Sequence, residues 1–205
     1  MLKIKEKELY PFVEEFIRKR YNCFMTYGEI GVEGIGYPDV FGVHHTNLEK
    51  TDVETIAVEV KTRKSSTCAD FGQAKGYCVY HDKVYFASLD EFSNEDKEIA
   101  KYLGIGLIGI TKQESGYLCD EVLKPSTNTP IKRLQNKILE KRKILACQAC
   151  KVIQERNYIQ TVYGLDKIYL STQNEVKKGK DLLIKNKDRK ELYCNRCARI
   201  ILKLN

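Results

Sequence analysis

Between Thr55 and Lys61 the chain alternates cleanly, with Ile56, Val58 and Val60 on one side of a strand and Ala57, Glu59 and Lys61 on the other. Tyr37 to Val43 reads as a second strand, opened by Pro38, which needs no ladder donor there, and separated from the first by a polar turn, His45 to Thr51. Paired antiparallel, the two strands bring Asp39 beside Glu59. Upstream, Leu9, Phe12, Val13, Phe16 and Ile17 form an apolar stripe at helical spacing, predicting a helix over Lys5 to Arg20 with Pro11 in its first turns. Tyr21 to Val32 reads as a turn followed by a strand.

Downstream the period switches repeatedly. A helix is expected from about Ala69 to Tyr80, a buried strand at Lys83 to Ser88, an amphipathic helix at Glu91 to Tyr102 and another buried strand at Ile105 to Ile110. Strands alternating with helices imply an α/β fold, a mixed central sheet flanked by helices. The polar, proline-bounded stretch Lys124 to Pro130 reads as a linker, so the expected domains are residues 1–125 and 130–205. A basic helix from Ile131 to Ala146 opens the second, with short strands expected around Val162, Lys167 to Leu170 and Asp181 to Ile184.

Charge sharpens that division. Residues 1–125 hold 16 Lys and Arg against 21 Asp and Glu, whereas residues 126–205 hold 19 against 7. The net +7 of the 205-residue chain therefore comes from residues 126–205, and nucleic acid is the natural polyanion for such a surface. No apolar run approaches the roughly 18 residues that would span a bilayer, and no signal-peptide core follows Met1. A cytoplasmic protein without a membrane partner is expected.

Alone, Glu59-Val60-Lys61 reads as an exposed cross-strand charge pair, and Pro38-Asp39 as a turn opener. Together they offer more: two carboxylates and the intervening Val60 carbonyl suit a hard divalent cation that keeps several waters, with the Lys61 ammonium beside them. Such a set suits phosphodiester hydrolysis. Pro38-Asp39, a spacer and Glu59-Val60-Lys61 resemble the active-site signature of the PD-(D/E)XK nuclease superfamily, which contains restriction endonucleases, Holliday-junction resolvases and RecB-like exonucleases. Gln73 and Tyr77, at i and i+4 on the helix that follows, resemble the Gln-x-x-x-Tyr motif of RecB-like and Cas4-like members.

The resemblance implies that Asp39, Glu59 and the Val60 carbonyl bind Mg2+ (or Mn2+), that Lys61 aids the attacking water and that Gln73 orients a metal-bound water or the scissile phosphate. It implies a helix carboxylate too, for which Glu8 is the first choice and Glu6 the rival. Hydrolysis leaving a 5′-phosphate and a 3′-hydroxyl follows from the same likeness, with DNA as the expected partner. Arg63, Lys64, Lys132, Arg133, Lys137 and Arg196 are expected to meet phosphates. Cleavage of both strands of a duplex is compatible with a homodimer. A branched-DNA or RNA-directed nuclease, or a non-catalytic DNA-binding protein, are the competing expectations.

Two Cys-x2-Cys pairs, Cys147 with Cys150 and Cys194 with Cys197, suit a closed tetrahedral Zn2+ site resembling a zinc ribbon with an insertion. An iron–sulfur cluster and redox thiols are the alternatives. Cys23, Cys68, Cys78 and Cys119 read as ordinary buried or half-buried residues, and His44 and His45 as strand-end residues pointing apart.

Overall fold

The computed structural model describes residues 4–28, 38–62, 67–142, 144–146, 151, 153–155, 161–162, 184–186, 191–193 and 197. They divide into two compact units. One comprises residues 1–45 and 54–136, the other 46–53 and 137–205.

The first unit is an α/β fold around a six-stranded mixed sheet in the order β1-β2-β3-β4-β5-β6. Its strands are β1 (Met25–Gly28), β2 (Val40–His45), β3 (Val53–Lys61), β4 (Lys83–Ser88), β5 (Gly106–Gln113) and β6 (Gly116–Leu123). β3, β4 and β5 run parallel, linked by crossover helices α2 (Thr67–Tyr77) and α3 (Asn94–Leu103), while β1 and β6 pair antiparallel with β2 and β5. Parallel strands need such crossovers, and their near-continuous apolar sequences reflect burial on both faces.

The alternation in β3 decides which residues meet which helix. Ile56, Val58 and Val60 join Leu9, Val13 and Ile17 of α1 (Tyr10–Tyr21) and its entry in one core. Ala57 lies in the other, with Phe71, Ala74 and Tyr77 of α2. Glu59 and Lys61 share Ala57's parity and so face the α2 side. The expected first helix is broken in two: a 3-10 turn at Glu6–Glu8 precedes α1, because Pro11 sits in the first turn, where its missing N–H costs no hydrogen bond. α1 ends at Asn22, whose left-handed φ of 51° closes the helix, as asparagine tolerates.

Three differences from the sequence reading stand out. β6 escapes the hydrophobic pattern because it is an edge strand whose residues lie half-buried or exposed in turn, with none fully covered. The hairpin before it turns at Gly116, with φ of 140° and no room for a Cβ, which would lie 2.8 Å from Phe12 Cε1. The basic helix α4 (Lys132–Lys141) is shorter than Ile131 to Ala146, and Ile144–Ala146 forms strand β7 instead. The Lys124 to Pro130 stretch, read as a linker, belongs to the first unit: Pro125 and Pro130 are buried, and Asn128 N–H donates to the Asp82 carbonyl at 2.7 Å.

The second unit contains an antiparallel pair, β7 with β8 (Ile153–Glu155), and a three-stranded sheet of β9 (Thr161–Val162), β10 (Ile184–Asn186) and β11 (Glu191–Tyr193). Thr46 N–H donates to the Asp52 carbonyl at 3.2 Å, closing the turn at 46–53, and Ile153 N–H donates to the Lys50 carbonyl at 2.8 Å. Lys167 to Leu170 lie outside the described residues.

Candidate functional site

Asp39 stands just before β2, and its carboxylate is tied at both oxygens. Tyr10 Oη donates to Oδ1 at 2.5 Å, and the Val60 backbone N–H donates to Oδ2 at 2.8 Å. That second bond sets the Pro-Asp carboxylate against the backbone one residue from Glu59. An extended residue presents its N–H and C=O to the same edge, so the Val60 carbonyl also faces the Asp39 side.

Glu59 is only 1% exposed. Lys61 Nζ donates to its Oε1 at 2.5 Å and Tyr77 Oη to its Oε2 at 2.8 Å. Burial and then the like charge of Asp39 push the Glu59 carboxyl above its ordinary range, although the bonds from Lys61 and Tyr77 pull the other way. Lys61 loses solvation too, which alone would lower it. The hydrogen bond and charge of Glu59, with Glu6 and Asp39 adding to them, win and raise its pKa, so Lys61 is an ammonium at neutral pH. Burial beside Glu59 raises the Tyr77 phenol as well. Gln73 is exposed and donates from Nε2 to Tyr77 Oη at 3.3 Å, so Gln73, Tyr77, Glu59 and Lys61 form one chain of contacts.

Of the two helix carboxylates, it is Glu6 that borders this cluster, with Oε2 3.9 Å from Lys61 Nζ. Glu8 does not: it is exposed and turns back to accept the Lys5 N–H at 3.3 Å, capping the 3-10 turn. With the helix broken before Pro11, Glu6 and not Glu8 comes within 4 Å of Lys61. Sequence reasoning also missed Tyr10. The spacing Glu6-x-x-x-Tyr10 repeats that of Gln73-x-x-x-Tyr77 and is the signal that points to it.

The donor set suits a hard divalent cation. Glu59 and Glu6 lie within 4.0 Å of the Lys61 ammonium, and each oxygen of Asp39 and Glu59 accepts one hydrogen bond, leaving lone-pair capacity on each. No trio of His, Cys, Asp or Glu placed to hold a metal occurs among the described residues. Mg2+ does not require one, since it binds through one or two carboxylates and retains water.

Of the expected phosphate contacts, Arg63, Lys64 and Arg196 lie outside the described residues. Lys132 and Arg133 are exposed on α4, where Lys132 Nζ donates to Gln135 Oε1 at 3.1 Å and lies 4.0 Å from Asp82 Oδ1. Asp82 adjoins Thr55, at the opposite end of β3 from Lys61, roughly 20 Å of strand away. Lys137 is exposed in the second unit.

Of the four proposed zinc ligands, Cys147, Cys150 and Cys194 lie outside the described residues and Cys197 is buried. Both cysteine pairs directly follow a strand, β7 ending at Ala146 and β11 at Tyr193. Cys23 is buried and Cys78 and Cys119 half-buried, with Cys23 and Cys119 thiols each pushed up to about 12 by burial. The Cys68 side chain lies outside the description. His44 Nε2 approaches Glu54 Oε2 at 3.2 Å, while the His45 ring stacks on Phe24 with centroids 4.3 Å apart.

No protein-family model matches the chain, and no curated protein matches it. Among solved structures, the SPO1766 protein of unknown function from Silicibacter pomeroyi aligns with 68% of this chain and 85% of its own, at 19% identity and a TM-score of 0.47. A likeness of that depth carries no functional argument. No helix among the described residues is long and apolar enough to cross a membrane.

Proposed function

We propose that this chain is a metal-dependent nuclease that hydrolyses phosphodiester bonds in DNA. The observation that carries the reading is the 2.8 Å bond from Val60 N–H to Asp39, which joins Pro38-Asp39 to Glu59-Val60-Lys61 in space as their order in the sequence suggested. Asp39, Glu59 and the Val60 carbonyl would hold Mg2+ or Mn2+. When bound, the cation supplies Lewis acidity and a nucleophilic water at neutral pH.

The side chains divide the remaining work. Lys61, held protonated by Glu59, is a hydrogen-bond donor and fixed positive charge for a phosphoryl oxygen, not a base. Gln73, exposed at the end of the Gln73–Tyr77–Glu59 chain, has a free face toward solvent with which to orient water or phosphate. Glu6 restrains the Lys61 ammonium from the other side. The basic second unit, with Zn2+ at its four cysteines, would grip the nucleic-acid backbone through charge.

The test is cleavage of plasmid, linear duplex, single-stranded and four-way-junction DNA, and of RNA, with Mg2+ or Mn2+. Lys61→Ala and Asp39→Ala should each lower the rate by at least about 100-fold, the scale of losing one transition-state charge contact. The preferred substrate then separates restriction-like, resolvase-like and exonuclease-like activity. Salt-sensitive binding with no cutting under either metal would overturn the enzyme reading in favour of a non-catalytic DNA-binding protein.

A further inference from the structure

We propose that Tyr10 is a positioning residue for the metal site, acting through Asp39; the inference rests on the nuclease reading above. Tyr10 is buried at the start of α1, packed in the core between that helix and the sheet. Phenylalanine would fill the same space. The hydroxyl adds a 2.5 Å bond to Asp39 Oδ1, while Val60 N–H holds Oδ2 at 2.8 Å. With its two oxygens tied to two different elements, a helix and a strand, the carboxylate cannot turn about its terminal bond without breaking one of them. The lone pairs left over are thereby aimed in a fixed direction.

A second helix treats the second carboxylate in the same way. Tyr77 of α2 donates to Glu59 Oε2 at 2.8 Å, and the residue four before it, Gln73, donates to Tyr77 at 3.3 Å. On the α1 side, the residue four before Tyr10 is Glu6, which reaches Lys61 at 3.9 Å. α1 and α2 pack into cores on opposite faces of the sheet. The two carboxylates are thus clamped from above and below by one tyrosine each, and helix packing sets the separation of the ligands. Partners that orient metal ligands in this way are commonly worth about 10- to 100-fold in metal affinity.

The test measures Mn2+ binding by electron paramagnetic resonance on the full chain, beside thermal unfolding in chelator. Tyr10→Phe should weaken Mn2+ binding by about 10-fold or more with little change in Tm. Tyr21→Phe is the control for a purely structural hydroxyl: Tyr21 Oη lies 2.5 Å from Tyr85 Oη, away from the metal ligands, and its loss should leave Mn2+ binding unchanged. A double-mutant cycle completes the test, because in an Asp39→Asn background Tyr10→Phe should cost nothing further. If wild type binds Mn2+ in an Asp39-dependent manner and Tyr10→Phe binds equally well, or if its loss adds in full to that of Asp39→Asn, the positioning role is overturned while the nuclease reading stands. If wild type binds no Mn2+, both fall.

Discussion

Glu59 illustrates how a buried carboxyl opposes stability. It is 1% exposed and lies close enough to Asp39 for the second charge to raise its carboxyl further, so the folded protein holds the Glu59 proton more tightly than the unfolded chain does. Its contribution to stability is present below the ordinary carboxylate range and is lost as pH rises through the raised value. Without metal, wild type should therefore lose stability relative to Glu59→Gln as pH climbs from about 4 toward neutrality. Chemical unfolding of both proteins in chelator across that range measures the difference, and a difference that stays flat would contradict the assigned cause. Glu59 and Lys61 were legible from strand alternation alone, since period 2 puts them on one face. For Tyr10 the sequence offers only the Glu6-x-x-x-Tyr10 spacing, because its ring belongs to the apolar face of α1 and nothing in that face reveals that its hydroxyl meets a carboxylate.

At the scale of elements, the sheet is held at its other end by a buried polar knot. Asp82 Oδ2 accepts from the Thr55 N–H at 2.7 Å, the Thr55 hydroxyl at 2.9 Å and Gln135 Nε2 at 2.5 Å. The knot joins the start of β3, the start of β4 and the first half of α4. Asp82→Ala strands all three donors and should cost roughly 2 to 3 kcal/mol in urea unfolding, whereas exposed Lys132→Ala should change it by less than about 1 kcal/mol. β4 was expected at Lys83 to Ser88, and the strand occupies those residues, because a run buried on both faces and bounded by polar turns has one reading. The helix expected at Glu91 to Tyr102 begins instead at Asn94, where Ser93 caps it by accepting the Asp96 N–H at 3.1 Å, and it closes at Gly104 with φ of 74°. Capping side chains, more than hydrophobic period, set such ends.

Across the whole molecule, charge and cysteine pattern separate the two units more sharply than hydrophobicity does. The first unit holds 17 Lys and Arg against 19 Asp and Glu and the second 18 against 9, so the net positive charge belongs to the second. The proposed four-cysteine site predicts one tightly bound Zn2+ per chain by elemental analysis. Cys194→Ser should abolish that stoichiometry and raise protease sensitivity in 137–205 while leaving the first unit's fold intact. Iron with sulfide in place of zinc would overturn the assignment.

What the sequence determined by itself is whatever depends on local period and spacing: the α/β class, the face shared by Glu59 and Lys61, the i, i+4 pairing of Gln73 with Tyr77, and the matched cysteine pairs. Tertiary structure alone decided which distant groups meet. Tyr10 reaches Asp39 across 29 positions and Gln135 reaches Thr55 across 80, and Glu6, not Glu8, comes within 4 Å of Lys61. The physical reason is that side-chain direction along one element is set by its own backbone geometry, whereas a contact between elements depends on how the helices settle on the sheet, and no single segment encodes that.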